Sequence, residues 1–270
     1  MSVVATELAD AIAPLIAEPG RTAILLDVDG TLAPIVRHAE DAHVPEATRG
    51  PLIKIARRYG FVACVSGRRA AIARRIVSLG SITYLGNHGS EVLEGGSTTV
   101  QVDPEVEAWT ARVRAFAEAE LARNEIRRSR VRGEDKESIA AFHWRGAPDE
   151  DAAEQHVREL AQRAEESGFA VHWGRKVLEV RPPIEMSKGA GLERLLTGRG
   201  LAFAIYAGDD STDCDAFAGL RRLVAAGELE TAICVGVRSD ETPPQLIEAA
   251  DAMVDGTAGV RQMLEALAGS

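Results

Sequence analysis

Ala23-Ile24-Leu25-Leu26-Asp27-Val28-Asp29-Gly30-Thr31-Leu32 is the stretch on which the fold turns. A short apolar run ends abruptly in two aspartates at i and i+2, followed by Gly and Thr. Such a run, bounded by turn residues, reads as a buried strand. Residues i and i+2 of a strand face the same way, so the two carboxylates converge where the strand meets solvent. Like charges that close are costly unless a cation or a shared proton relieves them. Three readings satisfy this demand: a Mg²⁺ site, a nucleophile beside a general acid, or both.

Working outward, apolar β-rich runs recur at 22–27, 61–65, 82–85, 203–207 and 232–236. Helical patterns lie between them at 46–59, 69–79, 189–198, 213–226 and 258–267. This alternation predicts an α/β fold, a Rossmann-like parallel sheet covered by helices on both faces. Ligands in such sheets gather at the carboxyl ends of the strands. Asp27, Ser66, Gly86 and Gly208 each stand at or just past such an end, which predicts one shared site.

The middle of the chain has another rhythm. A long Ala/Arg/Glu helix is expected at 105–123, strands at 126–132 and 138–145, a second helix at 150–167, and strands at 169–173 and 176–181. The order αββαββ predicts an inserted α+β module at 104–183, within a core made of 1–103 and 184–270. Gly95-Gly96 to Pro104 and Pro182-Pro183 punctuate its borders. Residues 1–18 read as a short extra helix broken or kinked near Pro14.

Composition narrows the function classes. The 270 residues carry a formal net charge of -10, which argues against a general nucleic-acid binder. Local Lys, Arg and a metal would have to hold any phosphorylated substrate. Aromatics are only 4%, so the core must rest on Ala, Val, Ile and Leu. Cys64, Cys214 and Cys234 are far apart and form no CxxC pair, which argues against a disulfide framework or a zinc site. The N-terminal residues make a poor signal peptide, and no apolar stretch reaches membrane length. A soluble, cytoplasmic protein is expected.

Four runs carry chemistry. A carboxylate at Asp27 can attack phosphorus, and one at Asp29 can protonate a leaving oxygen and then activate water. Gly30 lets the backbone turn closely round a phosphate. Val65-Ser66-Gly67-Arg68 ends a strand and opens a helix, where a hydroxyl and free N–H groups can hold a phosphate oxygen; Ser66 could equally be an N-cap. Lys188, at another helix start, could offset the carboxylates, or be a surface lysine. Gly208-Asp209-Asp210-Ser211-Thr212-Asp213 places three carboxylates at a strand end, suited to Mg²⁺ or to capping the next helix.

In this order the runs resemble the four motifs of the haloacid dehalogenase-like (HAD) phosphatase superfamily. The resemblance covers about 20–103 and 184–270. It implies an Asp27 nucleophile, an Asp29 acid/base, and phosphate held by Gly30, Ser66, Gly67 and Lys188. It also implies Mg²⁺ on Asp27, the Asp29 carbonyl and Asp209, with Asp210 and Asp213 as auxiliary acids.

A finer resemblance is to the trehalose-6-phosphate phosphatase family. It rests on Gly86-Asn87-His88-Gly89, Glu134-Asp135-Lys136, Ala141-Phe142-His143-Trp144-Arg145, Lys176 to Pro182, and Gly-Asp-Asp-Ser-Thr-Asp with Asp215-Ala216-Phe217. By this resemblance the inserted module is a cap that excludes water, with Glu134, Lys136, Arg145 and Glu179 on sugar hydroxyls, and Arg68 and His88 reaching them from the core. Val28 and Cys214 depart from residues the family often has, an aromatic and a Glu; neither removes a proposed catalytic group. The implied activity is Mg²⁺-dependent hydrolysis of trehalose 6-phosphate. The rivals are the same chemistry on another glycosyl or pseudo-disaccharide phosphate (sucrose 6-phosphate, glucosylglycerol phosphate), a mutase-like phosphotransferase, and a non-catalytic sugar-phosphate binder.

Overall fold

A computed structural model describes residues 3–36, 41–136, 138–184 and 186–269. The elements run α1 (Val3–Ala17), β1 (Thr22–Asp27), α2 (Glu46–Arg58), β2 (Phe61–Val65), α3 (Ala70–Val77), β3 (Thr83–Gly86), β4 (Glu91–Leu93) and β5 (Gln101–Val102). Next come α4 (Pro104–Leu121), α5 (Asn124–Arg128), β6 (Arg132–Asp135), β7 (Ala140–His143), α6 (Glu150–Glu166), β8 (Ala170–Gly174) and β9 (Val177–Arg181). The chain finishes with α7 (Lys188–Leu196), β10 (Phe203–Gly208), α8 (Ser211–Ala225), β11 (Thr231–Arg238), α9 (Pro244–Ala249), β12 (Ala252–Asp255) and α10 (Gly256–Ala268). Two compact units result: residues 1–101 with 186–270, and residues 102–185.

The first unit is built on an eight-stranded sheet in the order β12-β11-β10-β1-β2-β3-β4-β5. From β12 to β3 every neighbouring pair is parallel, and β4 runs antiparallel to β3. β1 is central because every one of its residues is buried, so it needs cover on both faces. Ile24 and Leu26 point into one core with residues of α1, α2, α3 and α10. Ala23 and Leu25, on the opposite face, pack with residues of α7, α8 and α9. The strand order departs from β1 in two directions, to β2 on one side and β10 on the other, and this switch point opens a crevice at their carboxyl ends.

The second unit is a four-stranded antiparallel sheet, β6-β7-β9-β8. One face is apolar: Phe142, Leu178 and Val180 pack with Val113 of α4 and with Val157 and Leu160 of α6. The alternate positions His143, Glu179 and Arg181 stay on the other, polar face, as period-2 patterning requires.

Three sequence expectations are corrected. The strand expected at 126–132 is the helical turn α5 followed by β6, because Ile126 alone is buried among the polar residues of α5 and anchors a turn. α1 runs on through Pro14 to Ala17, with Glu18 N donating to Pro14 O at 3.1 Å. The edge strands β5 and β12, and β4 beside β5, lie outside the strands expected from the sequence. Among the described residues, no helix is long and apolar enough to cross a membrane.

Candidate active site

The strand ends place four of the predicted runs in one crevice of the first unit. Asp27 closes β1 and is 5% exposed. Lys188, the first residue of α7, is 3% exposed, and its Nζ donates to Asp27 Oδ1 at 2.8 Å and to Asp213 Oδ1 at 2.6 Å. Lys188 is therefore the centre of a buried ion cluster and not a surface lysine. Burial alone would lower its pKa, but Asp27 and Asp213 outweigh that and raise it, so the ammonium stays charged.

Asp213 is spoken for by structure. Its Oδ1 also accepts from Tyr206 Oη at 2.6 Å, and its Oδ2 accepts from Asp210 N at 3.0 Å. Asp210 caps α8, its Oδ1 accepting from Thr212 N at 2.8 Å, and the reciprocal bond makes a capping box. The acidic loop thus serves both roles that its sequence allowed: Asp210 and Asp213 build the helix start, and Asp209 is left facing Asp27.

One ammonium stands against several carboxylates. Among the described residues, Asp27, Asp209 and Asp213 form one group whose carboxylate oxygens lie within 4.8 Å of one another. Burial pushes the Asp27 carboxyl well above its usual range, against the pull of Lys188. Burial, then Asp213 and Asp210, push Asp209 up to about 6. A cluster short of positive charge and made of hard oxygen donors fits a divalent cation such as Mg²⁺. Because Asp213 is already engaged, Asp27 and Asp209 are the side chains suited to hold it.

Gly30 makes the close approach possible. Its φ of +80° suits glycine, and a Cβ there would lie 2.0 Å from Asp209 Oδ2. Val28 O accepts from both Leu32 N and Ala33 N, and Gly30 N donates to Ala33 O, which closes a tight loop after β1. Thr31 Oγ1 donates to Asp209 Oδ1 at 3.3 Å.

Asp29 does not join the buried cluster. Its carboxylate is held in a fork by Arg68, with Nε to Oδ2 at 2.7 Å and Nη2 to Oδ1 at 2.8 Å. Arg68, expected on the sugar, here grips Asp29 instead. Ser66 is 1% exposed at the end of β2, and its Oγ accepts from Arg68 N at 3.1 Å. Gly67 leaves room for the His88 ring, since a Cβ there would lie 2.9 Å from His88 Cε1. His88 and Asn87 both adopt left-handed backbone, φ 54° and 48°. Such residues store strain and cluster at functional sites. Arg194 of α7 ties this turn down through its Nη2 bond to Gly89 O, 2.9 Å.

The remaining predicted residues lie in the second unit. Glu134 Oε2 pairs with His143 Nε2 at 2.8 Å. Lys136 Nζ donates to Glu179 Oε1 at 2.9 Å, and Arg181 holds Glu179 Oε2 through Nε at 3.0 Å and through Nη2. Burial would raise the Glu179 pKa, but Lys136 and Arg181 outweigh it and hold it down at about 2. Arg145 Nη2 donates to Arg175 O at 3.1 Å. Two residues escaped sequence reasoning. Tyr206 could have been noticed as a polar aromatic inside an aliphatic strand. Glu91, 2% exposed, could have been noticed as an acid just after Gly86-Asn87-His88-Gly89.

The same architecture recurs in solved structures. A haloacid dehalogenase-like hydrolase from Bacteroides thetaiotaomicron superposes with a TM-score of 0.58 at 16% identity, covering 90% of this chain and 98% of that one. Crystal form 3 of Aspergillus fumigatus trehalose-6-phosphate phosphatase reaches 0.70 at 22% identity, covering 97% and 96%. The fold is therefore that of the HAD-type hydrolases. The family model for trehalose-phosphatases matches residues 25–246, and the chain belongs to that family. Among curated relatives, trehalose 6-phosphate phosphatase RA3 of Zea mays is 33% identical over 228 residues, 77% of this chain and 62% of that protein. Probable trehalose-phosphate phosphatase 2 of Oryza sativa subsp. japonica is 30% identical over 224 residues, 74% and 58%. The chain thus spans about three-fifths of the length of these plant relatives.

Proposed function

We propose that this protein is a phosphomonoesterase that hydrolyses trehalose 6-phosphate to trehalose and phosphate through an aspartyl-phosphate on Asp27. One observation carries the reading. The buried Lys188 joins Asp27 to the helix-anchored Asp213 at the switch point of the sheet, in a chain of the trehalose-phosphatase family.

In the first half-reaction an Asp27 carboxylate oxygen attacks phosphorus, and the bond from phosphorus to the sugar oxygen breaks. Asp29, protonated on an oxygen released from the Arg68 fork, gives that proton to the departing oxygen. Lys188, the Ser66 hydroxyl and the backbone N–H of Gly67 carry the charge of the phosphoryl oxygens, and Gly30 leaves them room to approach. In the second half Asp29, now ionised, takes a proton from water as the water attacks phosphorus, and Asp27 departs as a carboxylate. Asp27, Asp209 and the Asp29 carbonyl would hold Mg²⁺, which when bound supplies positive charge to the crowded oxygens. Asp213 and Tyr206 fix where Lys188 points. The inserted unit acts as the specificity cap: Glu134, Lys136, Arg145 and Glu179 bind sugar hydroxyls, joined from the core by His88. The Lys136–Glu179–Arg181 cluster supports this reading, since preset charged partners reject analogues that lack the matching hydroxyls.

The test is phosphate release from trehalose 6-phosphate, sucrose 6-phosphate, glucose 6-phosphate and an aryl phosphate, with Mg²⁺ and with EDTA. Mg²⁺-dependent preference for trehalose 6-phosphate is expected. Preference for another sugar phosphate overturns the substrate, and no release from any overturns the activity.

A further inference from the structure

We propose that Glu91 is a positioning residue for the reaction: from β4 it fixes the start of α3 and, through it, the Ser66–Arg68 loop whose Arg68 orients Asp29. The proposal rests on the reading of Asp29 as the acid that protonates the leaving oxygen.

Glu91 is a carboxylate at 2% exposure. Burying such a group is costly unless it is paired and hydrogen-bonded. Its partners include the two residues that directly follow Arg68. Oε2 accepts from Ala70 N at 2.9 Å, and Oε1 lies 3.7 Å from Arg69 Nε. Ala70 opens α3, where orphan N–H groups and the positive end of the helix dipole favour an anion.

The loop before α3 has little slack elsewhere. Asn87 N donates to Arg68 O at 2.7 Å, and Ser66 N donates to Leu85 O at 2.9 Å. A Cβ on Gly86 would lie 2.1 Å from Ala70 N, so β3 passes tightly against the helix start. The end of this path is the Arg68–Asp29 fork. Those side chains are part-buried, 24% and 34% exposed, and the fork fixes how they meet but not where the Arg68 backbone stands. The fork's orientation comes from the backbone that carries Arg68, and Glu91 secures that backbone from within the core. Removing the Glu91 carboxylate frees the start of α3, lets Arg68 swing, and takes Asp29 off the leaving oxygen.

Leaving-group dependence isolates this effect. A sugar alkoxide needs a proton to depart, whereas 4-nitrophenolate does not. For Glu91→Ala, kcat/KM on trehalose 6-phosphate is expected to fall roughly 10- to 100-fold, as misplaced catalytic groups do. On 4-nitrophenyl phosphate it is expected to change by less than about threefold, because that leaving group asks nothing of the acid. Glu91→Gln keeps an acceptor for Ala70 N and is expected to recover most of the loss. Arg68→Ala is expected to show the same selectivity, and the double variant to be no worse than Arg68→Ala alone, since both act on one path. If Glu91→Ala does not fold, Glu91→Asp, which retracts the carboxylate by one methylene, carries the same expectation. Equal losses on both substrates, or additive losses in the double variant, overturn the proposal. Asp29→Asn is the control. A selective loss there with equal losses for Glu91→Ala overturns the positioning role alone; equal losses in Asp29→Asn overturn the acid reading and the positioning role with it.

Discussion

Replacing Lys188 by Met should make the protein lose more stability with rising pH than the wild type does. The side chains match in length, but the ammonium and both of its bonds, 2.8 Å to Asp27 and 2.6 Å to Asp213, disappear. Lys188, Asp27 and Asp213 are 3%, 5% and 0% exposed, so water cannot take over. Breaking one partner out of a buried ion cluster costs roughly 3–5 kcal/mol, which for a chain of this size lowers Tm on the order of 10 °C. The sign with pH follows from Asp27. Burial already pushes its folded-state pKa well above the unfolded value, and Lys188 is the group that opposes the push. A carboxyl with a raised folded pKa loses stability as pH rises from the unfolded value through the folded one. Without Lys188 that window widens upward. Melting curves of wild type and Lys188→Met, taken in EDTA at pH 5 and pH 8, should therefore show the larger deficit at pH 8 and a smaller one at pH 5. An unchanged Tm at pH 8, or the same deficit at both pH values, would refute the view of Lys188 as the cation that holds the carboxylates together.

Two further outcomes follow from the shifted groups. With Asp209 pushed up to about 6 in the metal-free protein, protons compete with the cation below that pH. The apparent Mg²⁺ Kd should rise as pH falls below 6, by up to roughly tenfold per pH unit from Asp209. Calorimetric titration at pH 5 and 7.5 measures this, and equal affinities would remove Asp209 from the ligand set. Glu179, held at about 2 by Lys136 and Arg181, stabilises the second unit above its unfolded pKa and loses that contribution as pH falls towards 2. Glu179→Gln should cost about 1–2 kcal/mol at pH 7, after screening of the half-exposed Lys136, and almost nothing near pH 2. Urea unfolding at the two pH values reads the difference.

The core strands could be read from the sequence because burial on both faces writes itself as an uninterrupted apolar run. Thr22–Asp27 and Phe203–Gly208 are buried throughout. Strands without that burial leave no such mark. β6 is exposed at all four residues, β5 at the sheet edge has two, and the stretch around Ile126 offered one apolar residue to decide between helix and strand. In the site, the residue types that crowd charge, Asp27, Asp29, Asp209 and Asp213, stood out at strand ends. What the sequence could not display was which of them are bound to one another. Asp213 lies 25 residues from Lys188 and Asp29 lies 39 from Arg68, and only the strand order brings these pairs together. Glu91 was hidden for the same reason, since the helix start it caps lies 21 residues earlier.

The most direct test of the central claim is to mix the enzyme with trehalose 6-phosphate and Mg²⁺, quench with acid within a turnover, and map the phosphoryl group by peptide mass spectrometry. A phosphoryl group on the peptide that contains Asp27, absent from Asp27→Asn, whose turnover is abolished while its fold is kept, is the expected result. Wild-type-like turnover by Asp27→Asn, or a phosphoryl group on another residue, would contradict it.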